Sequence, residues 1–186
     1  MKIKMKIIKK IVIENRAYGI FALSDLFNFK RGSGTKSKEG NYPQITASAK
    51  DNGHAGFSDI YKFENSFSFA DVSGTCFWHP YKFDASQHAF VAIPKFSISD
   101  FNTMEGLASY ISSYTTYKRF SFGRFCSLER LKEQTVALPI VNDEIDWQFI
   151  HDSYKETISR IYKKQMEKLQ EKINNLDTNF IKPEFN

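Results

Sequence analysis

The chain is 186 residues long, with 41% hydrophobic and 25% charged residues and a mean hydropathy of -0.44, values of an ordinary water-soluble globular domain that exclude disordered, collagenous and membrane classes. Eighteen Phe, nine Tyr and two Trp supply enough apolar surface for a core without disulfide or metal staples. The formal charge is +5, and residues 1–20 hold all of that excess, with six Lys and Arg against Glu14. The rest of the chain is balanced, so any polyanion partner must be met by local clusters rather than by bulk charge.

Two cysteines, Cys76 and Cys126, stand far apart with no CxxC spacing, which suggests neither a disulfide framework nor a zinc site and points to a reducing compartment, the cytoplasm. Lys9 and Lys10 break the basic N-terminus before an apolar run reaches signal-peptide length, so neither an export signal nor a membrane span is expected.

In chain order, residues 1–16 read as a basic arm or a lysine-protected edge strand, and the run Ile11-Val12-Ile13 favours the strand. Ser24 is a candidate cap for a short helix carrying Leu26 and Phe27. Lys30-Arg31-Gly32-Ser33-Gly34-Thr35-Lys36-Ser37-Lys38 then has loop composition. A strand is expected over Tyr42-Pro43-Gln44-Ile45-Thr46-Ala47-Ser48, and a turn over residues 50–56. Phe67-Ser68-Phe69, Gly74-Thr75-Cys76-Phe77-Trp78 and Ala89-Phe90-Val91-Ala92-Ile93 are further strand candidates, making a β-rich middle. Asn102, with Glu105 three residues on, predicts a helix over 103–117. Ser127 predicts a cap for a short helix through Leu128 and Leu131. Thr135 to Ile140 reads as a strand closed by Pro139.

Asp146 caps the last predicted element. From Trp147 to Leu176 there is neither Gly nor Pro, and Tyr162, Met166, Leu169, Ile173 and Leu176 recur at spacings of four, three, four and three, a heptad seam. At 1.5 Å per residue the helix is roughly 45 Å long. Its apolar stripe is narrow and its other faces rich in Lys and Glu, the pattern of a projecting helix that pairs with another. A helix packed back along its own domain is the alternative.

The signatures of catalysis are nearly absent. His54, His79, His88 and His151 show no metal-ligand spacing. There is no nucleophile elbow, Walker loop or dinucleotide fingerprint. Cys76 lies in an apolar run, and Cys126, between Arg124 and Ser127, is the better placed thiol for an enzyme reading.

The order of motifs resembles the target-recognition domain of restriction-modification DNA specificity subunits, the type I family and its single-domain relatives. The resemblance rests on Phe21-Ala22-Leu23-Ser24-Asp25-Leu26-Phe27 leading to Lys30-Arg31-Gly32, and on Tyr42-Pro43-Gln44-Ile45-Thr46-Ala47-Ser48 with Asn52-Gly53-His54-Ala55-Gly56-Phe57. It continues through Ser73-Gly74-Thr75-Cys76-Phe77, Phe83-Asp84-Ala85-Ser86, Phe90-Val91-Ala92-Ile93-Pro94 and Leu128-Glu129-Arg130-Leu131-Lys132 to Ala137-Leu138-Pro139 and Asp146-Trp147-Gln148-Phe149 with the heptad helix.

The resemblance implies an α+β fold: a β-rich recognition domain over 1–145, a coiled-coil spacer helix over 146–178 and a tail over 179–186. It implies a non-catalytic subunit that reads one half-site of a bipartite double-stranded DNA target and docks a methyltransferase subunit, with a restriction subunit as a further partner. No cofactor is expected in this chain, because S-adenosylmethionine belongs to the methyltransferase. There is room for one recognition domain and one spacer, so the chain reads as a half-subunit that homodimerises through Tyr162, Met166, Leu169, Ile173 and Leu176, or as part of a longer chain. Lys30, Arg31, Thr35, Lys36, Lys38, Lys50, Asn52, His54, Ser73, Lys118, Arg119 and Arg124 are side chains of the types that contact DNA, with Asn52, His54 and Arg124 as base readers and the lysines on phosphates. The competing readings are the recognition domain of a fused restriction enzyme and methyltransferase, a protein-interaction adaptor without DNA binding, and an enzyme using Cys126 or a set of carboxylates.

Overall fold

The computed structural model describes residues 5–37, 39–115, 120 and 125–180, with side chains to residue 176. The fold is α+β. Among the described residues three small sheets carry it: β1 (Lys9–Ile13), β2 (Arg16–Ala22), β10 (Thr135–Val141) and β11 (Glu144–Ile145) in that order; β3 (Phe27–Arg31), β9 (Ala89–Pro94), β6 (Ser66–Ala70) and β7 (Cys76–His79); and β5 (His54–Ser58), β4 (Tyr42–Ile45) and β8 (Asp84–Ala85).

The β3-β9-β6-β7 sheet is covered on both faces, which is why its strands read as nearly continuous apolar runs. Alternation divides β9 between two cores: Phe90 and Ala92 join Phe67, Phe69, Trp78 and Cys76 in the larger, while Ala89 and Val91 join Ile45, Phe63, Phe83 and Ala85 in the smaller. The smaller core binds the β5-β4-β8 sheet to the rest of the molecule. Helix α2 (Phe101–Thr115) closes the larger core with Met104, Leu107 and Ile111.

The N-terminal segment forms the expected edge strand, β1, paired in register with β2 from Lys9↔Ile20 to Ile13↔Arg16. Several other local expectations are corrected. Ser24 lies inside the single-turn helix α1 (Leu23–Leu26), which follows Ala22 and has no side-chain cap, and Phe27 already belongs to β3. Lys30 and Arg31 are strand residues opposite Val91 and Phe90. The turn after β4 closes at Gly53, so His54 starts β5. Gly74 and Thr75 precede β7 in a turn. The cap of α2 is Asp100 rather than Asn102: its Oδ2 accepts from the Thr103 amide at 2.9 Å and the Thr103 hydroxyl at 2.7 Å. Pro139 lies within β10. It ends the pairing with β2, opposite Tyr18, while the strand continues to Val141 against β11, the ladder-end position a residue without an N–H tolerates.

Two caps match expectation. Ser127 accepts from the Arg130 amide at the start of α3 (Leu128–Lys132), and Asp146 accepts from the Phe149 amide at 3.0 Å at the start of α4 (Trp147–Phe180). The first turns of α4 pack on α2, with Ile150 fully buried. Residues 159–176 are exposed throughout.

Candidate nucleic-acid interface

The segment after β3 must lie flat against the chain leaving β8, and its glycines permit that. The Gly32 amide donates to the Ala89 carbonyl at 2.9 Å and the Gly34 amide to the Ala85 carbonyl at 2.7 Å. A Cβ on Gly32 would run into the Ala85 and Ser86 carbonyls, and one on Gly34 into the Asp84 carboxylate. Asp84 is fully buried and organises this corner. Its carboxylate accepts from the Ser58 hydroxyl at 3.0 Å and the Ala85 amide at 2.9 Å, with Lys62 Nζ at 3.8 Å. Lys62 also donates to Ser33 Oγ at 3.1 Å, so the cation beside the buried anion ties the 32–34 segment to this corner.

The result is an open cleft of about 790 Å³ between three chain segments: 31–36, β4 with Thr46, and the 86–88 turn. Arg31 and Lys36 supply permanent positive charge, and no acidic residue lines the cleft among the described residues. Arg31 Nε donates to the Gln87 carbonyl at 2.9 Å, and its guanidinium centre lies 5.6 Å from the Phe90 ring, so its orientation is set. The Lys36 stem runs over Gly56 on β5. Amides and hydroxyls of Gln44, Thr46, Ser86 and Gln87, with the His88 ring, complete the lining.

Of the residues singled out from sequence, Arg31, Thr35 and Lys36 meet in this cleft. Lys50, Asn52 and His54 stand beside it, because the Thr46 amide binds the Gly53 carbonyl at 2.8 Å and His54 pairs with Ile45. Asn52 is exposed in a left-handed conformation (φ 51°, ψ 33°), a turn role that Asn fills readily. His54 Nε2 is buried without a hydrogen-bond partner among the described residues, and its ring meets Phe57 edge-on at 5.2 Å. Lys30 is exposed on β3 but outside the cleft lining. Ser73 is buried in the β6–β7 turn, its hydroxyl 2.7 Å from that of Thr75. Lys38, Lys118, Arg119 and Arg124 lie outside the described residues. Sequence reasoning missed Gln44, Thr46, Ser86, Gln87 and His88. The polar Ser86-Gln87-His88 turn between apolar runs was the available signal, but a search for charge passes over it.

The thiols give no support to an enzyme reading. Burial pushes Cys126 up to about 12 and raises Cys76 as well, so both are thiols at neutral pH. Ser68 Oγ and His79 Nε2 are 2.7 Å apart, the spacing of a nucleophile and base. Both residues are buried within the sheet and neither lines the cleft. Among the described residues no His, Cys, Asp and Glu cluster could hold a metal, and no helix is long and apolar enough to cross a membrane.

The seam residues of α4 are all exposed: Tyr162 63%, Met166 65%, Leu169 52%, Ile173 50% and Leu176 59%. The helix leaves the domain with that stripe uncovered.

Comparison with known proteins places this arrangement. The S subunit of a type I restriction-modification system from M. genitalium superposes with a TM-score of 0.53 at 16% identity, over 89% of this chain and 44% of that one. The HsdS subunit from Thermoanaerobacter tengcongensis gives 0.53 at 10% identity, over 83% and 41%. A chain from a structural study of complex assembly and conformational transition in the type I R-M system gives 0.62 at 10% identity, over 92% and 46%. These likenesses establish a shared fold, and this chain spans less than half the length of each of the three. No curated protein sequence matches significantly. The family model for the type I restriction modification DNA specificity domain matches residues 15–180, from just before β2 to the end of α4. The chain therefore belongs to the type I restriction-modification DNA specificity domain family.

Proposed function

We propose that this chain is the non-catalytic reading subunit of a restriction-modification system, taking one half-site of a bipartite DNA duplex and docking a methyltransferase subunit that carries S-adenosylmethionine. In this reading residues 1–145 recognise DNA, and the helix over 146–178 is a spacer whose seam pairs with that of a second copy. The carrying observation is the cleft of a specificity-family domain, where cations, amides and hydroxyls from three segments converge with no acidic residue in the described lining. Cations on phosphates fix register and supply most of the affinity; amides and hydroxyls read base edges. Two copies joined along α4 place two clefts on one duplex with two-fold symmetry, the geometry of a bipartite palindromic target.

Fluorescence anisotropy with a random-sequence duplex at several salt concentrations tests the reading. Affinity is expected to fall steeply with salt, and Lys36→Ala to weaken binding on all sequences while lowering the log–log salt slope by about one. Absent binding, or binding unmoved by salt, overturns it.

A further inference from the structure

Gln44 sits on β4 between two partner strands, its backbone paired with Asp84 of β8 and flanked by the register shift against β5. It is 1% exposed, lines the cleft, and its Nε2 has no hydrogen-bond partner among the described residues. A buried amide donor left without an acceptor is penalised by more than a typical surface contact returns. Leu or Met would fill the same volume without that penalty. The orphan donor is accounted for when a ligand acceptor enters the cleft, and the surroundings say which kind. Among the described lining residues the Thr46 and Ser86 hydroxyls are neutral, while the permanent charges, Arg31 and Lys36, are exposed. A free anion would be held at the cations and leave the amide unpaired. A nucleotide within a strand satisfies both, with its phosphate against the cations and a base edge at the amide.

We propose that Gln44 is a specificity-determining residue that reads one base of the half-site, an adenine. A carboxamide matches the adenine N6 amino group and N7 together, donating from Nε2 to N7 and accepting from N6 at Oε1. The Gly32 and Gly34 contacts and the buried Asp84 keep the wall opposite β4 in place, so the amide meets the base from a rigid floor. This inference rests on the DNA-recognition reading above.

The test is selection from a pool of duplexes randomised over two helical turns, with the full-length wild-type chain, Gln44→Met and Gln44→Glu run in parallel. The wild type is expected to enrich a motif containing an adenine. Gln44→Met keeps the side-chain length but not the amide, and is expected to lose preference at that one position by about tenfold with the other positions unchanged. Gln44→Glu replaces the donor with an acceptor and is expected to move the same position toward cytosine, whose N4 amino group donates. A motif in the wild type that survives intact in Gln44→Met overturns the assignment of Gln44 alone. No motif in the wild type overturns the recognition reading with it. Loss of the folded state in both variants, seen by circular dichroism, marks Gln44 as a core residue and overturns the assignment as well.

Discussion

His79 shows how one buried polar side chain sets the acid stability of the domain. Its ring is fully buried, with Nε2 2.7 Å from Ser68 Oγ and Nδ1 3.1 Å from Tyr81 Oη. A neutral imidazole has one donor and one acceptor for these two hydroxyls, whereas an imidazolium would need acceptors on both sides. Burial lowers the His79 pKa to about 3 from an ordinary 6.5. The unfolded chain therefore takes up a proton below pH 6.5 that the folded chain refuses until about pH 3, so unfolding becomes more favourable as pH falls through that window. Each pH unit well inside it removes roughly 1.4 kcal/mol. Urea unfolding of wild type is expected to lose about 2 kcal/mol through this group on going from about pH 6.5 to about pH 4.5. A glutamine in its place offers the same hydroxyls an amide that does not titrate, so His79→Gln is expected to flatten the dependence. Equal losses in the two proteins would contradict the assignment.

Gly106 governs how α4 leaves the domain. A Cβ there would stand 2.9 Å from Ile150 Cγ2 and from the Ile150 carbonyl oxygen, and 3.2 Å from Tyr154 Cβ, so α2 and α4 approach closely only because the side chain is absent. The first turns of α4 are fixed on other sides too: Trp147 stacks on Phe96 at 4.9 Å, the Arg16 guanidinium lies 3.5 Å over Phe149 and 3.1 Å from Asp146, and His151 Nδ1 is 2.7 Å from Asp100. Little slack remains for the helix to shift. Alanine gains about 1 kcal/mol over glycine in helix propensity, but overpacking a fixed contact costs about 1–3 kcal/mol. Gly106→Ala is accordingly expected to lower the urea midpoint by the equivalent of about 1 kcal/mol. A rise in the midpoint would show that propensity wins and that the α2–α4 contact is loose.

Signals that arise from local chemistry were legible in the sequence. Ser127 and Asp146 cap helices because a short polar side chain before an apolar run has few other roles, and Tyr162 to Leu176 kept their heptad spacing because one continuous helix carries them. Choices among equivalent local options were not legible. Asp100 and Asn102 are both good cap residues, and the choice of Asp100 goes with its further contact to His151, 51 residues away. Arg31 looked like part of a basic loop, but its pairing with Phe90 makes it strand. The cleft was half visible: Arg31, Thr35 and Lys36 announced themselves by type, whereas Gln44 reads as an ordinary polar position in a strand until β8 and the 32–34 segment are seen to meet it.

For the whole molecule, the distribution of exposed groups matters more than the net charge of +5. The cation-lined cleft lies on the recognition domain, while the uncovered apolar stripe lies on a helix of 34 residues, about 50 Å of continuous rise. One surface suits DNA and the other a second helix. The exposed β1 edge carries Lys9 and Lys10, with Lys10 bridged to Asp143, charges that discourage strand pairing between copies; in the proposed reading association falls to α4. Sedimentation velocity of the wild-type chain with a fluorescent random-sequence duplex, at low and at high salt, joins both surfaces in one observation. Two chains on each duplex at low salt, released as salt rises, is the predicted result. A duplex that sediments free of protein at low salt would contradict the account.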